Sequence, residues 1–67
     1  MQVNLNKIKG LMAENGDTQK DLADKLGVSA ETARNYINGK VAMRVDTISK
    51  IAEIYNVAPL VLLTFND

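Results

Sequence analysis

Between Gln19 and Asn38 the chain reads QKDLADKLGVSAETARNYIN, which leaves it little conformational choice. Leu22, Leu26, Val28, Ala33 and Tyr36 recur at helical spacing on either side of Gly27. Gly27 follows Leu26 where a helix must end in left-handed backbone, a conformation that glycine enters without steric cost. Ala23 sits where two crossing helices need a small side chain. The stretch predicts a helix, a tight turn and a second helix with a polar outer face.

Punctuation on both sides extends the reading. Asn4 is a candidate N-cap for a first helix over Leu5 to Glu14, with Leu5, Ile8 and Met12 repeating at three and four residues. Asn15, Gly16 and Asp17 break it. Thr18 with Asp21 three residues on approximates a capping box, so helix two starts at Gln19. Ser29 caps helix three, Glu31 places an anion in its first turn, and Asn38-Gly39 supplies a left-handed stop after about ten residues. Helix four is expected from Val45 to Tyr55, with Ile48, Ile51, Ala52 and Tyr55 inward and Asn56 at the stop. Pro59 suits the first turn of a fifth helix reaching about Phe65. No period-two segment of useful length is visible, so the expected fold class is all-α, a compact five-helix bundle.

Composition removes several function classes. Sixty-seven residues make one domain, expected to span residues 1–67, and a chain of this size buries only about 60% of the surface its unfolded form exposes. There is no Cys and no His, which excludes disulfides, thiolate or imidazole metal sites and a His-assisted nucleophile. Carboxylate pairs such as Asp17 with Asp21, and Asp21 with Asp24, fall on an exposed helix where solubility accounts for them. With no phosphate-cradling glycine loop either, no enzyme, cofactor or small-molecule substrate is expected. The longest apolar stretch, Val57 to Leu63, is interrupted by Pro59 and falls far short of the roughly 20 residues that span a bilayer. The opening MQVNLNKIKG alternates polar and apolar residues without a continuous hydrophobic segment, which is unlike a secretory signal. A cytoplasmic protein without membrane partners is expected.

Eight Lys and Arg balance eight Asp and Glu, which argues against a nucleic-acid partner, since such proteins are commonly basic. The distribution softens the objection. From Ser29 to Lys50 the cations Arg34, Lys40, Arg44 and Lys50 outnumber Glu31 and Asp46 by two. So modest a field implies weak non-specific affinity and reliance on specific contacts or dimerisation.

At 100° per residue, Ala33, Tyr36 and Ile37 cluster on the core side of helix three. Glu31, Arg34, Asn35 and Asn38 then point outward, with Ser29 and Ala30 at the leading end.

The words TQKDLADKLGVS, NGK and ISKIAEIYNV resemble the helix-turn-helix proteins of phage Cro and repressor type, over about Leu5 to Leu63. That resemblance implies that helix three enters the major groove of double-stranded DNA. Its outward residues have groove chemistry: Arg34 can donate twice to guanine, Asn35 can pair with adenine, Glu31 can accept from cytosine, and Ala30 can meet a thymine methyl. Ser29, Ala30, Glu31, Arg34 and Asn35 are therefore the candidate base contacts. Glu31 is equally suited to complementing the helix dipole or pairing with Arg34, and Ala30 to permitting close approach.

Gln19 stands at the amino end of helix two, where an anion is favoured. In the family, a Gln at this place touches the DNA backbone and braces the reading helix. Lys20, Thr32, Asn38, Lys40 and Arg44 join it as candidate backbone contacts, although a solvated loop would show the same charges. Two features depart from the family. Ala33 stands where Ile or Val is usual, a volume that bulky Tyr36 is expected to make up, and the loop before helix four reads VAMR without the frequent Pro.

PLVLLTF carries more large apolar side chains than one buried stripe needs. Ile54, Leu60, Val61, Leu63 and Phe65 are the candidate interface of a homodimer. The function expected is a sequence-specific transcription regulator, a small repressor occupying a palindromic operator. The alternative is a helical protein-interaction module or antitoxin-like partner with little DNA binding, consistent with the zero net charge.

Overall fold

The computed structural model of the chain describes residues 2–64. They form strand β1 (Gln2–Val3), helices α1 (Leu5–Glu14), α2 (Gln19–Leu26), α3 (Ala30–Ile37) and α4 (Val45–Ile54), a 3-10 turn (Pro59–Leu62) and strand β2 (Leu63–Thr64). Three of the four helices begin at a side-chain cap. Asn4 accepts from the Lys7 amide at 3.0 Å. Thr18 and Asp21 complete the capping box reciprocally, at 3.2 and 2.8 Å. Ser29 caps α3 by accepting from the Thr32 amide at 3.1 Å. These oxygens satisfy amides that have no partner within their own helix.

All four helices close on the same pair of reversed bonds. The amides of Asp17, Val28, Lys40 and Val57 donate to the carbonyls of Met12, Ala23, Asn35 and Ala52, each five residues back. The residue before each donor, Gly16, Gly27, Gly39 or Asn56, is left-handed. At Gly27, with φ of 74°, the reversal is compressed against the cap of α3, since Ser29 begins the next helix two residues later. That junction is the tight turn read from the sequence.

The core takes one fully buried aliphatic side chain from each of several elements: Ile8 of α1, Leu22 of α2, Ile51 of α4 and Leu62 of the 3-10 turn. Burial of each stabilises the fold by about 1.5–3 kcal/mol relative to an exposed position. α3 contributes Ala33, which is 0% exposed, beside Ile37. Ala23 of α2 is buried as well, so both helices of the pair offer small side chains to the interior and their axes can approach closely.

Two expectations need correction. The five-helix bundle is replaced by four α-helices and a two-stranded antiparallel ribbon, in which Gln2 pairs with Thr64 and Val3 with Leu63. The fifth helix shrinks to the Pro59–Leu62 turn, and Phe65, its expected end, lies outside the described residues. A helix of two turns gains few internal hydrogen bonds. One turn suffices to bury Leu62, whose carbonyl accepts from the Asn4 amide at 2.7 Å, and the following residues pair with the amino terminus. The second correction concerns Tyr36. It is half-buried, bordering an apolar groove with Leu5, Met43 and Ile48, and does not join Ala33 in the core.

Candidate nucleic-acid interface

The outer face of α3 follows from its inner one. With Ala33 and Ile37 sequestered, Glu31, Arg34 and Asn38 are exposed and Asn35 is half-buried at the edge of the face. Ser29 and Ala30, at the leading end, are exposed. Arg34 and Asn35 are therefore free to approach a surface placed against this helix. Among the described residues the single ion pair is Lys25 with Asp17, so the alternative Glu31–Arg34 pair does not form. Both side chains keep their hydrogen-bonding capacity for an outside partner.

The hydroxyls at the start of α3 divide their roles. Ser29 Oγ accepts from the Thr32 amide and donates to Thr32 Oγ1 at 2.9 Å, which spends its one hydrogen on the cap. Thr32, half-buried, accepts that bond and retains its own hydroxyl hydrogen as a donor. A phosphate oxygen is a suitable acceptor for it. Ser29 thus serves foremost as a cap, with one lone pair left over.

Gln19, in the first turn of α2, is half-buried between two shallow depressions. One is bordered by Ala30, Glu31 and Arg34, and the other by Lys9, Met12, Asp17, Ile37 and Asn38. It therefore adjoins both ends of the outer face of α3. Its own helix presents unpaired amides there, which favours an anion. Lys20 is exposed alongside, and Lys40 and Arg44 are exposed on the connection after α3. Lys40 has its position set by its amide bond to the Asn35 carbonyl at 2.9 Å. Arg44 precedes α4, where no side chain caps the helix.

Two supporting groups escaped the sequence reading. Asp17 Oδ2 accepts from Lys25 Nζ at 2.7 Å and from the Tyr55 hydroxyl at 2.9 Å, while the Lys25 ammonium lies 5.8 Å from the centre of the Tyr55 ring. The Lys25 bond, with the Tyr55 bond second, holds the Asp17 carboxyl below its ordinary range. Burial, and then the Asp17 bond, pushes the Tyr55 phenol above the usual tyrosine range. Lys50 Nζ donates to the Leu26 carbonyl at 3.1 Å. None of these partners is a helical neighbour of the other, so spacing carried no signal of them.

The dimer candidates separate by exposure. Leu60 is 66% exposed and Val61 41%, whereas Ile54 and Leu63 are half-buried against the core cluster. Leu62 between them is fully buried. No helix among the described residues is long and apolar enough to cross a membrane.

A family model described as helix-turn-helix matches residues 8–62, from the first core residue of α1 to the buried Leu62. Neither a curated protein nor a solved structure matches the chain.

Proposed function

Because the chain belongs to the helix-turn-helix family of Cro and repressor type, it is a DNA-binding regulator, and we propose that it acts as a small repressor, occupying a palindromic operator as a homodimer. In this reading α3 lies in the major groove. Arg34 and Asn35 carry base discrimination, with Glu31 and Ala30 adding to it and Ser29 at the leading end. Gln19, Lys20, Thr32, Asn38, Lys40 and Arg44 hold the sugar-phosphate backbone on either side. The observation that carries the reading is the placement of Gln19 against Ala30, Glu31 and Arg34, which puts a backbone-reaching amide beside base-reading chemistry.

Each good bidentate base contact supplies about 1–3 kcal/mol of discrimination, so a protomer with two of them gains a specific site once two protomers act together. Exposed Leu60 and Val61 support the pairing of protomers, with Ile54 and Leu63 at its margin. Two reading helices would then stand about 34 Å apart. In this reading the protein acts by excluding polymerase from the promoter it occupies.

Selection of duplexes from a random pool tests this directly. The expected product is an inverted repeat with half-sites one helical turn apart, bound less tightly as salt rises. Absence of any enriched sequence would falsify the regulator reading and favour the protein-interaction module. Enrichment of a single half-site, with a monomer in sedimentation at high protein concentration, would remove the homodimer alone.

A further inference from the structure

α4 touches both ends of α2 through polar bonds. At the carboxyl end, Lys50 Nζ reaches the Leu26 carbonyl at 3.1 Å, one of the acceptors that a helix leaves unpaired in its last turn. At the amino end, the Tyr55 hydroxyl donates at 2.9 Å to Asp17, the residue before the Thr18 cap. Lys50 of α4 precedes Tyr55, the residue that ends that helix, whereas Asp17 precedes Leu26, so the two helices run in opposite directions between the bonds. We infer that Lys50 and Tyr55 are positioning residues, a two-point clamp by which α4 sets where α2 presents Gln19 and where the turn delivers α3.

The chemistry fits restraint at each end. Asp17 is held by two donors, and its side chain is only 9% exposed, so its place is defined from α2 through Lys25 and from the carboxyl-terminal cap of α4 through Tyr55. Lys50 adds positive charge at the negative end of the α2 dipole, immediately before left-handed Gly27. Apolar packing between two helices tolerates small sliding and rotation, whereas hydrogen bonds at both ends fix axial placement and tilt. Lys50 is in this reading a ligand of a carbonyl, which sets it apart from the phosphate-facing cations Lys40 and Arg44.

Amide hydrogen exchange on the full chain, with Tyr55→Phe, Lys50→Met and Lys50→Arg, tests the clamp without DNA. Tyr55→Phe is expected to speed exchange of the Leu22 amide, bonded to Thr18, and Lys50→Met that of Val28, bonded to Ala23. Each change is expected to be about 3- to 10-fold, the factor for one lost hydrogen bond, with the α1 amides unchanged and Lys50→Arg close to the parent. Equal acceleration in α1 and α2, or none in α2, overturns the clamp and leaves ordinary packing residues.

The second measurement, affinity for the selected duplex across salt, rests on the DNA-binding reading. Both Tyr55→Phe and Lys50→Met are expected to weaken binding about 3- to 10-fold at an unchanged salt slope. A slope reduced by about one in Lys50→Met makes Lys50 a phosphate contact and overturns its assignment. If the parent protein binds no duplex, that reading fails by itself, and exchange still decides the clamp.

Discussion

Gln19 and Arg34 border one shallow depression although they belong to different helices, α2 and α3. Their proximity joins a group suited to phosphate with one suited to a guanine edge. Gln19→Ala is expected to weaken binding evenly across duplexes, and Arg34→Ala to cost about 1–3 kcal/mol and relax preference at one base pair. Because both variants alter one surface, a double-mutant cycle followed by fluorescence anisotropy should show coupling of about 0.5 kcal/mol or more. Strict additivity would mean that Gln19 does not brace α3.

Left-handed backbone at Gly27 and Gly39 gives a graded pair of substitutions. A Cβ at Gly27 meets nothing within 4 Å, so Gly27→Ala meets only the backbone penalty of φ 74°, about 1–2 kcal/mol. At Gly39 the same atom would lie 3.1 Å from Leu5 Cδ1, so Gly39→Ala should be the more destabilising. Urea midpoints at constant m-value measure both, and the reverse order would show that Leu5 yields easily.

Leu62 and Leu60 are neighbours in one turn with opposite environments. Leu62, at 0% exposure, should cost about 2–5 kcal/mol when replaced by Ala. Leu60→Ser should leave the stability of the isolated protomer within about 0.5 kcal/mol while lowering self-association. Thermal melts and sedimentation on the two variants separate the effects, and unchanged association in Leu60→Ser would take Leu60 out of the interface.

The Asp17–Tyr55 bond predicts sensitivity at both extremes of pH. Asp17 keeps its carboxylate more readily folded than unfolded, so its contribution is present above its ordinary value of 3.8 and lost as pH falls through the lower folded value. Tyr55 is the opposite case. Its phenol ionises later in the folded protein, so its contribution is present below pH 10.0 and is lost as pH rises beyond it. Urea midpoints should fall at both limits in the parent, with Asp17→Asn flattening the acid limb and Tyr55→Phe the alkaline one. Parallel profiles in all three proteins would count against the bond in solution.

Much of the fold was legible because it is written in short-range chemistry. Asn4, Thr18 with Asp21 and Ser29 cap helices whose amides lie within three residues of them, and Gly27, Gly39 and Asn56 stop helices through bonds spanning five. The outward set of α3 was equally readable, since Ala33 and Ile37 leave only one face for Arg34. Asn35, whose carbonyl receives Lys40 behind it, proved half-buried at the rim of that face. The carboxyl end was misread as a helix because Pro59 announces a helical start, and nothing nearby says that one turn is enough.

Residue order alone was sufficient for the caps of the first three helices, for the stops and, Tyr36 apart, for the inward faces, whose free energies depend on groups a few positions apart. It could not say that Leu63 would pair with Val3, that Tyr55 would meet Asp17, or that Lys50 would reach Leu26. Those contacts join segments that are distant in the chain and are brought together by the core around Ile8, Leu22, Ile51 and Leu62. They arise from the directions in which packed helices carry their ends past one another, a geometry that no local spacing encodes.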